Sequence, residues 1–459
     1  MDALDAAQAI RNGAATSRAL VEEALAKADA IGPLNAFITL DADGARAAAD
    51  RADAAVKAGA RLGALHGVPV VVKDNINSAG LPTTGGTPAL KTFVPAENAP
   101  VLQALLDAGA ILIGKTNLHE LAYGITSNNA AFGPVGAPCA PDRFAGGSSG
   151  GTAAAITGGV APIGLGTDTG GSVRIPAALT GIAGLRPTVG RYPGEGIVPI
   201  SHTRDTAGPM AHCVADLVLL DSVLSGDDAP VEPLDPGTLR LGVAPQFTTD
   251  LDPETARVFE QATAKLQAAG ATLVEVDAGA LVELCGRVGF PLTLYETRTD
   301  LDAFVKRYGA AESIEAVAAA IASPDVKAIF ETAILSADAV PEAAYEEVMK
   351  TLRPHLVDAT ARLYADNRLD ALVFPTTPLP AQPIEGSDET VMLNGRAVPT
   401  FPTFIRNTDL GSVVGFPGLS IPAGATAEGL PVGIEFDAPA GADRRLLALG
   451  LAAEAILDT

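Results

Sequence analysis

Residues 143–176 read RFAGGSSGGTAAAITGGVAPIGLGTDTGGSVRIP. Two glycine-flanked serine clusters lie in this stretch, Gly146-Gly147-Ser148-Ser149-Gly150-Gly151 and Thr169-Gly170-Gly171-Ser172. Glycine tolerates left-handed backbone and lets another group approach the main chain closely. Serines ringed by glycines therefore suit an exposed hydroxyl surrounded by backbone N–H groups able to hold a developing oxyanion. A pair of flexible Gly/Ser linkers does not fit, because helix- and strand-like apolar sequence at 152–155 and 160–165 fills the space between the clusters.

Upstream, residues 68–72 (VPVVV) read as a short buried strand ending on Lys73. A lysine there is either a solvated cap or is held inside, where desolvation disfavours its charge and makes it a base. Residues 17–30 have helical periodicity, with Ser17 as N-cap and Gly32-Pro33 as the stop, and 43–60 form a second, Ala-rich helix. Residues 98–108 give a helix and 110–114 a strand. The run GAILIGKT, 109–116, matches the phosphate-loop pattern GxxxxGK[ST]. Ala-Ile-Leu-Ile is a strand whose N–H groups belong to a sheet, so a nucleotide-binding P-loop protein is rejected.

Downstream, a helix runs over 211–225, and the polar, Pro-rich 226–237 (GDDAPVEPLDPG) marks a boundary or surface loop. Strands at 239–243 and 271–276 flank a helix at 253–269. Residues 280–365 are mostly helical; strands return at 369–375, 418–422 and 430–436, and a helix at 443–457 closes the chain. No internal repeat occurs. The alternation predicts an α/β fold, a large mixed, mostly parallel β-sheet covered by helices on both faces. The expected organisation is a single domain over 1–459, with a core at 60–225, an inserted mostly helical region at 226–368, and strands and a helix at 369–459 completing the core.

The 459 residues are 48% hydrophobic but only 4% aromatic, with no Trp, a composition of a compact globular chain. A net charge of −23 argues against nucleic acid and anionic membrane surfaces as partners. The opening MDALDAAQAI has acidic residues where a signal peptide needs basic ones, and no run of about 18 apolar residues occurs. Cys139, Cys213 and Cys285 are odd in number and far apart, supporting neither a disulfide framework nor a CxxC metal site. The expectation is a cytoplasmic protein with reduced thiols, without metal or cofactor, monomeric or homodimeric.

Residues 147–151 also match the nucleophile-elbow pattern GxSxG, with Ser149 as nucleophile. That chemistry needs a downstream acid and then a histidine, and none of His66, His119, His202, His212 and His355 sits in such a context. A serine beside a neutral lysine is an alternative nucleophile arrangement, and Lys73 is the candidate base.

Lys73 in VVVKDN, together with GGSSGGTAAA and GLGTDTGGSVRIPA, resembles the amidase signature family of Ser-cisSer-Lys amidohydrolases, at similar spacings. The likeness continues through GLRPTVGRYP, DTAGPMAHCVADLVLL and PGLSIPAG…GLPVGIEF, so it spans nearly the whole chain. The resemblance implies Ser172 as nucleophile, Ser148 on a cis peptide bond as proton relay, Lys73 as ultimate base, and the N–H groups of Thr169, Gly170, Gly171 and Ser172 as oxyanion hole. Water then cleaves the acyl-enzyme, and no cofactor is implied. Asp168 and Arg174 are expected to pair and pin the loop; Ser149 is expected to support it, and Cys139 to be a plain small residue. Ala122, Tyr123, Gly124, Arg191 and Tyr192 are the expected substrate contacts, the last two on a mobile glycine-rich loop, 190–196. Glu435 stands where family members often have Gln, and the aromatic often found near Cys139 is missing, which puts pocket details in play.

The stretch RYPGEGIVPISHTRDTAGPM is similar to indoleacetamide and mandelamide hydrolases, which implies small neutral aryl or arylalkyl amides as substrates. Similarity to urethanases within the family extends the expectation to small N-aryl carbamates. The alternative function is the glutaminase subunit of a tRNA-dependent amidotransferase.

Overall fold

The computed structural model describes residues 1–458. Eleven strands build one sheet. In chain order they are β1 (Phe37–Leu40), β2 (Pro69–Lys73), β3 (Ile111–Thr116), β4 (Ile163–Asp168), β5 (Ala183–Arg186), β6 (Thr206–Ala211), β7 (Arg240–Val243), β8 (Thr272–Glu275), β9 (Ala371–Pro375), β10 (Gly418–Ala425) and β11 (Pro431–Asp437). Side by side they run β1-β3-β2-β4-β6-β5-β10-β11-β9-β7-β8. The chain up to residue 225 thus supplies one contiguous half of the sheet, and the chain beyond 239 supplies the other. The halves meet where β5 pairs with β10, Leu185 opposite Leu419.

The Val-rich β2 is wholly buried, as a strand covered on both faces should be. Its side chains alternate. Val70 and Val72 enter one apolar cluster, packed by helices that include Val214–Ser225, Pro253–Ala268 and Asp443–Leu457. Val71 enters the opposite cluster, with Val21 and Ala24 of helix Ser17–Ala30, Ala45 and Ala49 of helix Ala42–Lys57, and Ala153–Ala155 of helix Gly150–Thr157.

The sheet is mixed, but it is not mostly parallel. Parallel pairing is confined to β3-β2-β4 and β9-β7-β8. The other junctions, including the whole centre from β4 through β6, β5, β10 and β11 to β9, are antiparallel. Two strands of that centre, AGLR and TAGPMA, carry glycine and proline where β-branched residues mark a strand, so local sequence conceals them.

Other expectations hold to within a few residues. The helix N-cap is Thr16, whose hydroxyl accepts the Ala19 N–H at 3.1 Å, rather than Ser17. The GAILIGKT run is strand β3, paired on both sides, with Lys115 buried 2.9 Å from Asp74 and no cradle for a phosphate. The segment after β8 is helical: Gly279–Tyr308, then short helices, then Arg353–Asn367. Its Leu301, Phe304, Val305 and Phe330 pack on Leu90, Phe93 and Leu121, so this layer roofs the loops that follow β2 and β3. No helix among the described residues is long and apolar enough to cross a membrane.

Candidate active site

Neighbouring parallel strands β2 and β4 align Val72 with Leu165, which sets Lys73 beside the end of β4. Lys73 Nζ donates to Ser148 Oγ at 2.7 Å and to Thr167 Oγ1 at 2.8 Å. Asn75 Nδ2 donates to the same threonine oxygen at 3.0 Å. No carboxylate touches the amine, which is fully buried. Burial pulls its pKa down to about 7, against the more distant attraction of Asp168 and Asp205.

Ser148 precedes helix Gly150–Thr157, and the Gly147–Ser148 peptide is cis. Its carbonyl accepts the His119 N–H at 3.2 Å and the Ser127 hydroxyl at 3.3 Å. A Cβ at Gly147 would lie 2.8 Å from Ser127 N, so no larger residue fits there. Ser149 is spent on β4, its hydroxyl donating to Thr167 O at 3.2 Å and accepting the Thr167 N–H at 3.3 Å. Its N–H donates to Ser172 O at 3.1 Å and ties the two serine clusters together.

Ser172 sits in the loop between β4 and helix Arg174–Thr180 and keeps 8% of its surface open. Gly171 before it has φ +128°, a conformation that disfavours any side chain. Gly171 departs from its expected role: its N–H donates to Asp168 Oδ1 at 2.9 Å instead of standing free for an oxyanion. Val173 N–H donates to the other oxygen of Asp168 at 3.1 Å. Asp168 is the keystone of a buried network. Arg174 Nη2 lies 3.1 Å and Arg186 Nη1 2.9 Å from its Oδ1, and Arg174 continues to Glu435 at 2.5 Å and Ser412 at 2.7 Å. Burial alone would raise the Asp168 carboxyl, but the two guanidinium groups outweigh it and hold it well below the usual carboxylate range. The Asp168–Arg174 pair therefore pins the loop, as expected. Glu435 belongs to this network behind the serine loop and not to the pocket.

Ser172 opens into a cavity of about 270 Å³, lined by Ala122, Tyr123, Gly124, Thr169, Gly170 and mainly apolar side chains. Phe290 and Phe401 meet edge-to-face in its wall, ring centres 6.2 Å apart. A second chamber of about 440 Å³ shares Ala122, Thr169 and Ile200 with the first and reaches Thr167 and Asn75, on the Lys73 side. The wall between Ala122 and Ile125 hangs on the helical roof. His119 is bonded to Asp325 at 2.9 Å, and Glu120 accepts the Ser323 N–H at 2.7 Å.

Lys73, Ser148, Ser172 and the triplet Ala122–Tyr123–Gly124 are thus brought to one place. Arg191 and Tyr192 are not. Both turn to Asp221, at 2.7 Å from Arg191 Nε and 2.7 Å from the Tyr192 hydroxyl, because a buried carboxylate offers them better partners than an open cleft. Only the far end of their loop, Gly194–Gly196, reaches the larger chamber. Cys139 is exposed and lines neither cavity. Sequence reasoning missed Thr167, Ser127, and the Arg204–Asp409 pair in the wall of the smaller cavity. Thr167 lies in the quoted GLGTDTGG; the other three carry no local signal.

Two groups of potential metal ligands occur among the described residues, His202–Glu296–Asp300 and Asp2–Cys213–Asp216. Each has a carboxylate already engaged within the protein. Glu296 accepts from Ser201, Thr203 and Tyr345 while His202 bonds Asp300; Asp216 accepts the N–H groups of Ala3 and Leu4.

The Amidase family profile matches residues 19–447. The chain is 42% identical to a mandelamide hydrolase of Pseudomonas putida, over 99% of this chain and 90% of that protein. It is 43% identical to an indoleacetamide hydrolase of Rhizobium radiobacter, over 95% and 92%. Among solved structures, one described as an amidase superposes with a TM-score of 0.88 at 35% identity, covering 99% of each chain.

Proposed function

The chain belongs to the Amidase family, whose members cleave C–N bonds of amides, and we propose that it hydrolyses small neutral aryl and arylalkyl amides through a Ser172–Ser148–Lys73 relay. The observation that carries the reading is the buried amine of Lys73, 2.7 Å from the Ser148 hydroxyl and without a carboxylate partner. Neutral Lys73 takes the proton of Ser148 as Ser148 takes that of Ser172, and Ser172 Oγ bonds to the carbonyl carbon. The oxyanion is received by the N–H groups of Thr169, Gly170 and Ser172. Ser148 then protonates the leaving nitrogen and recovers a proton from Lys73. The C–N bond breaks, and water attacks the acyl-Ser172 ester through the same relay. The apolar cavity beside Ser172 suits the acyl group.

Ammonia release from phenylacetamide and mandelamide by the isolated protein tests this reading, with Ser172→Ala as control. Loss of a serine nucleophile costs on the order of 10⁶ in kcat. Substantial residual activity in that variant would defeat the assignment, and a requirement for a partner protein would favour the glutaminase-subunit alternative.

The larger chamber favours a wider scope. It lies on the Lys73–Thr167 side, from which the leaving nitrogen receives its proton, and it gives an N-substituent room. Anilides and small N-aryl carbamates are therefore proposed as further substrates, the carbamates slower because the alkoxy oxygen makes the carbonyl less electrophilic. Arylamine release from a matched anilide and carbamate decides this; cleavage of the anilide alone would restrict the enzyme to amides.

A further inference from the structure

The smaller cavity holds one ion pair in a mainly apolar wall. Arg204, nearly buried, bonds Asp409 Oδ1 through Nη2. Three more of its five N–H donors are spent, Nε on Thr169 O at 3.1 Å and Nη1 on Thr293 Oγ1 at 3.0 Å and Gly289 O at 3.3 Å. The charge of Arg204 is thus already paired with Asp409. The hydroxyls of the lining are committed as well. Thr293 donates to Gly289 O at 2.8 Å and Thr332 to Ala328 O at 2.7 Å, while Thr169 donates to Asp205 at 2.6 Å and Tyr123 is bonded to Thr297 at 2.8 Å.

Asp409 differs. Its side chain keeps 21% of its surface open, and it lines the cavity. Its second oxygen, Oδ2, meets only the Cys285 thiol at 3.6 Å, a weak donor. A carboxylate oxygen has room for more than one donor, and an unmet acceptor in an apolar wall is costly to leave unpaired. Apart from the reacting serine and the N–H groups of its loop, the Asp409 carboxylate is therefore the lining side chain with an acceptor left to offer.

We propose that Asp409 sets acyl-group specificity: Oδ2 accepts a hydrogen bond from an O–H or N–H donor on the acyl part of the substrate, such as an α-hydroxyl or an indole N–H. Arg204 fixes the carboxylate by holding Oδ1, so that Oδ2 faces the ligand. This deepens the amide-hydrolase reading above and rests on it.

The test uses two pairs of amides that differ in the donor alone: mandelamide against phenylacetamide, and indole-3-acetamide against benzofuran-3-acetamide. A hydrogen bond to a charged group makes the donor-bearing member preferred by about 10–100-fold in kcat/KM, carried mainly in KM. In Asp409→Asn, Arg204 retains the amide oxygen and the –NH₂ faces the cavity. The preference then collapses to near unity or reverses. A merely structural role would lower both members of a pair alike and leave their ratio intact, which overturns the proposal. Equal kcat/KM within both pairs in the wild-type enzyme overturns it too, without recourse to any variant. Turnover of all four amides without discrimination defeats this inference alone, whereas no turnover of any of them defeats the amide reading and the inference with it.

Discussion

In the proposed relay, Lys73 is the residue whose burial becomes reactivity. With its pKa near 7, the neutral base is lost as pH falls through that value, so kcat/KM declines on the acid side with an apparent pKa of about 7. The same displacement acts on stability. Between about pH 7 and the ordinary lysine value of 10.5, the unfolded chain holds a proton that the folded chain has released, so stability rises with pH across that window. Below about pH 7 both states are protonated and the whole burial penalty stays in force. Lys73→Met therefore abolishes turnover, raises the free energy of unfolding at pH 6 and removes that part of the alkaline rise; urea titrations at pH 6 and 10 measure it. An unchanged pH dependence in the variant would mean that the amine is not desolvated in solution. The strand-end Lys73 and the two glycine-flanked serine clusters stood out in the sequence as short motifs, whereas the roles proposed for Ser148 and Ser172 rest on the family resemblance. Arg204 and Asp409 did not stand out, because they lie far apart in the chain and only the fold joins them. Arg191 and Tyr192 looked available in the sequence, which does not reveal that Asp221 comes to meet them.

The elements around the serine loop are held by charge in the dry interior. Helix Arg174–Thr180 and strands β5 and β11 converge on Asp168, Arg174, Arg186, Glu435 and Asp437, all buried. Removing one partner of such a network leaves the rest uncompensated, so Arg174→Met costs about 3–5 kcal/mol, read as a lower urea midpoint. Glu435 behaves oppositely. Burial and then the neighbouring Asp437 carboxylate push its pKa well above 4.5, against the attraction of Arg174. The folded chain then keeps a proton that the unfolded chain loses, and this residue makes stability fall as pH rises above about 4.5. Glu435→Gln removes that fall and is neutral or stabilising near neutrality, while Arg174 keeps Asp168; a large destabilisation would show that Glu435 pairs as an anion. The outer parallel strands were readable as apolar runs, but β5 and β6 were not. Their sequences satisfy the tight packing of helix Arg174–Thr180 and its neighbours more than any strand preference: a Cβ at Gly184 would lie 2.9 Å from the Ala177 side chain, and one at Gly208 2.7 Å from that of Val173. Tertiary contact decides such segments, and local propensity does not.

At the scale of the whole molecule, the boundary between the two halves of the sheet coincides with a boundary in the chain. Everything up to residue 225 forms β1 to β6 and carries Lys73, Ser148 and Ser172. Everything beyond 239 forms β7 to β11 and carries Asp409, Phe401 and the helical roof. The passage between them, 226–237, is largely exposed, and its only regular structure is the first two residues of a short 3₁₀ turn, Pro236–Thr238. Across the divide run the β5–β10 ladder, the Arg174–Glu435 bond, and Glu454 of the last helix capping Val214 at 2.9 Å. The protein is therefore a candidate for cutting in two. Pieces ending at 231 and beginning at 232 should each be silent, since one owns the proposed relay of Lys73, Ser148 and Ser172 and the other owns Phe290, Phe401 and Asp409 of the cavity wall and Glu435, which holds Arg174. Brought together, they should close the ladder and recover turnover, more fully as their concentration rises or when each is fused to one member of a binding pair. Hydrolysis would then report on encounter, and the divided protein would serve as a sensor of whether two other molecules have met.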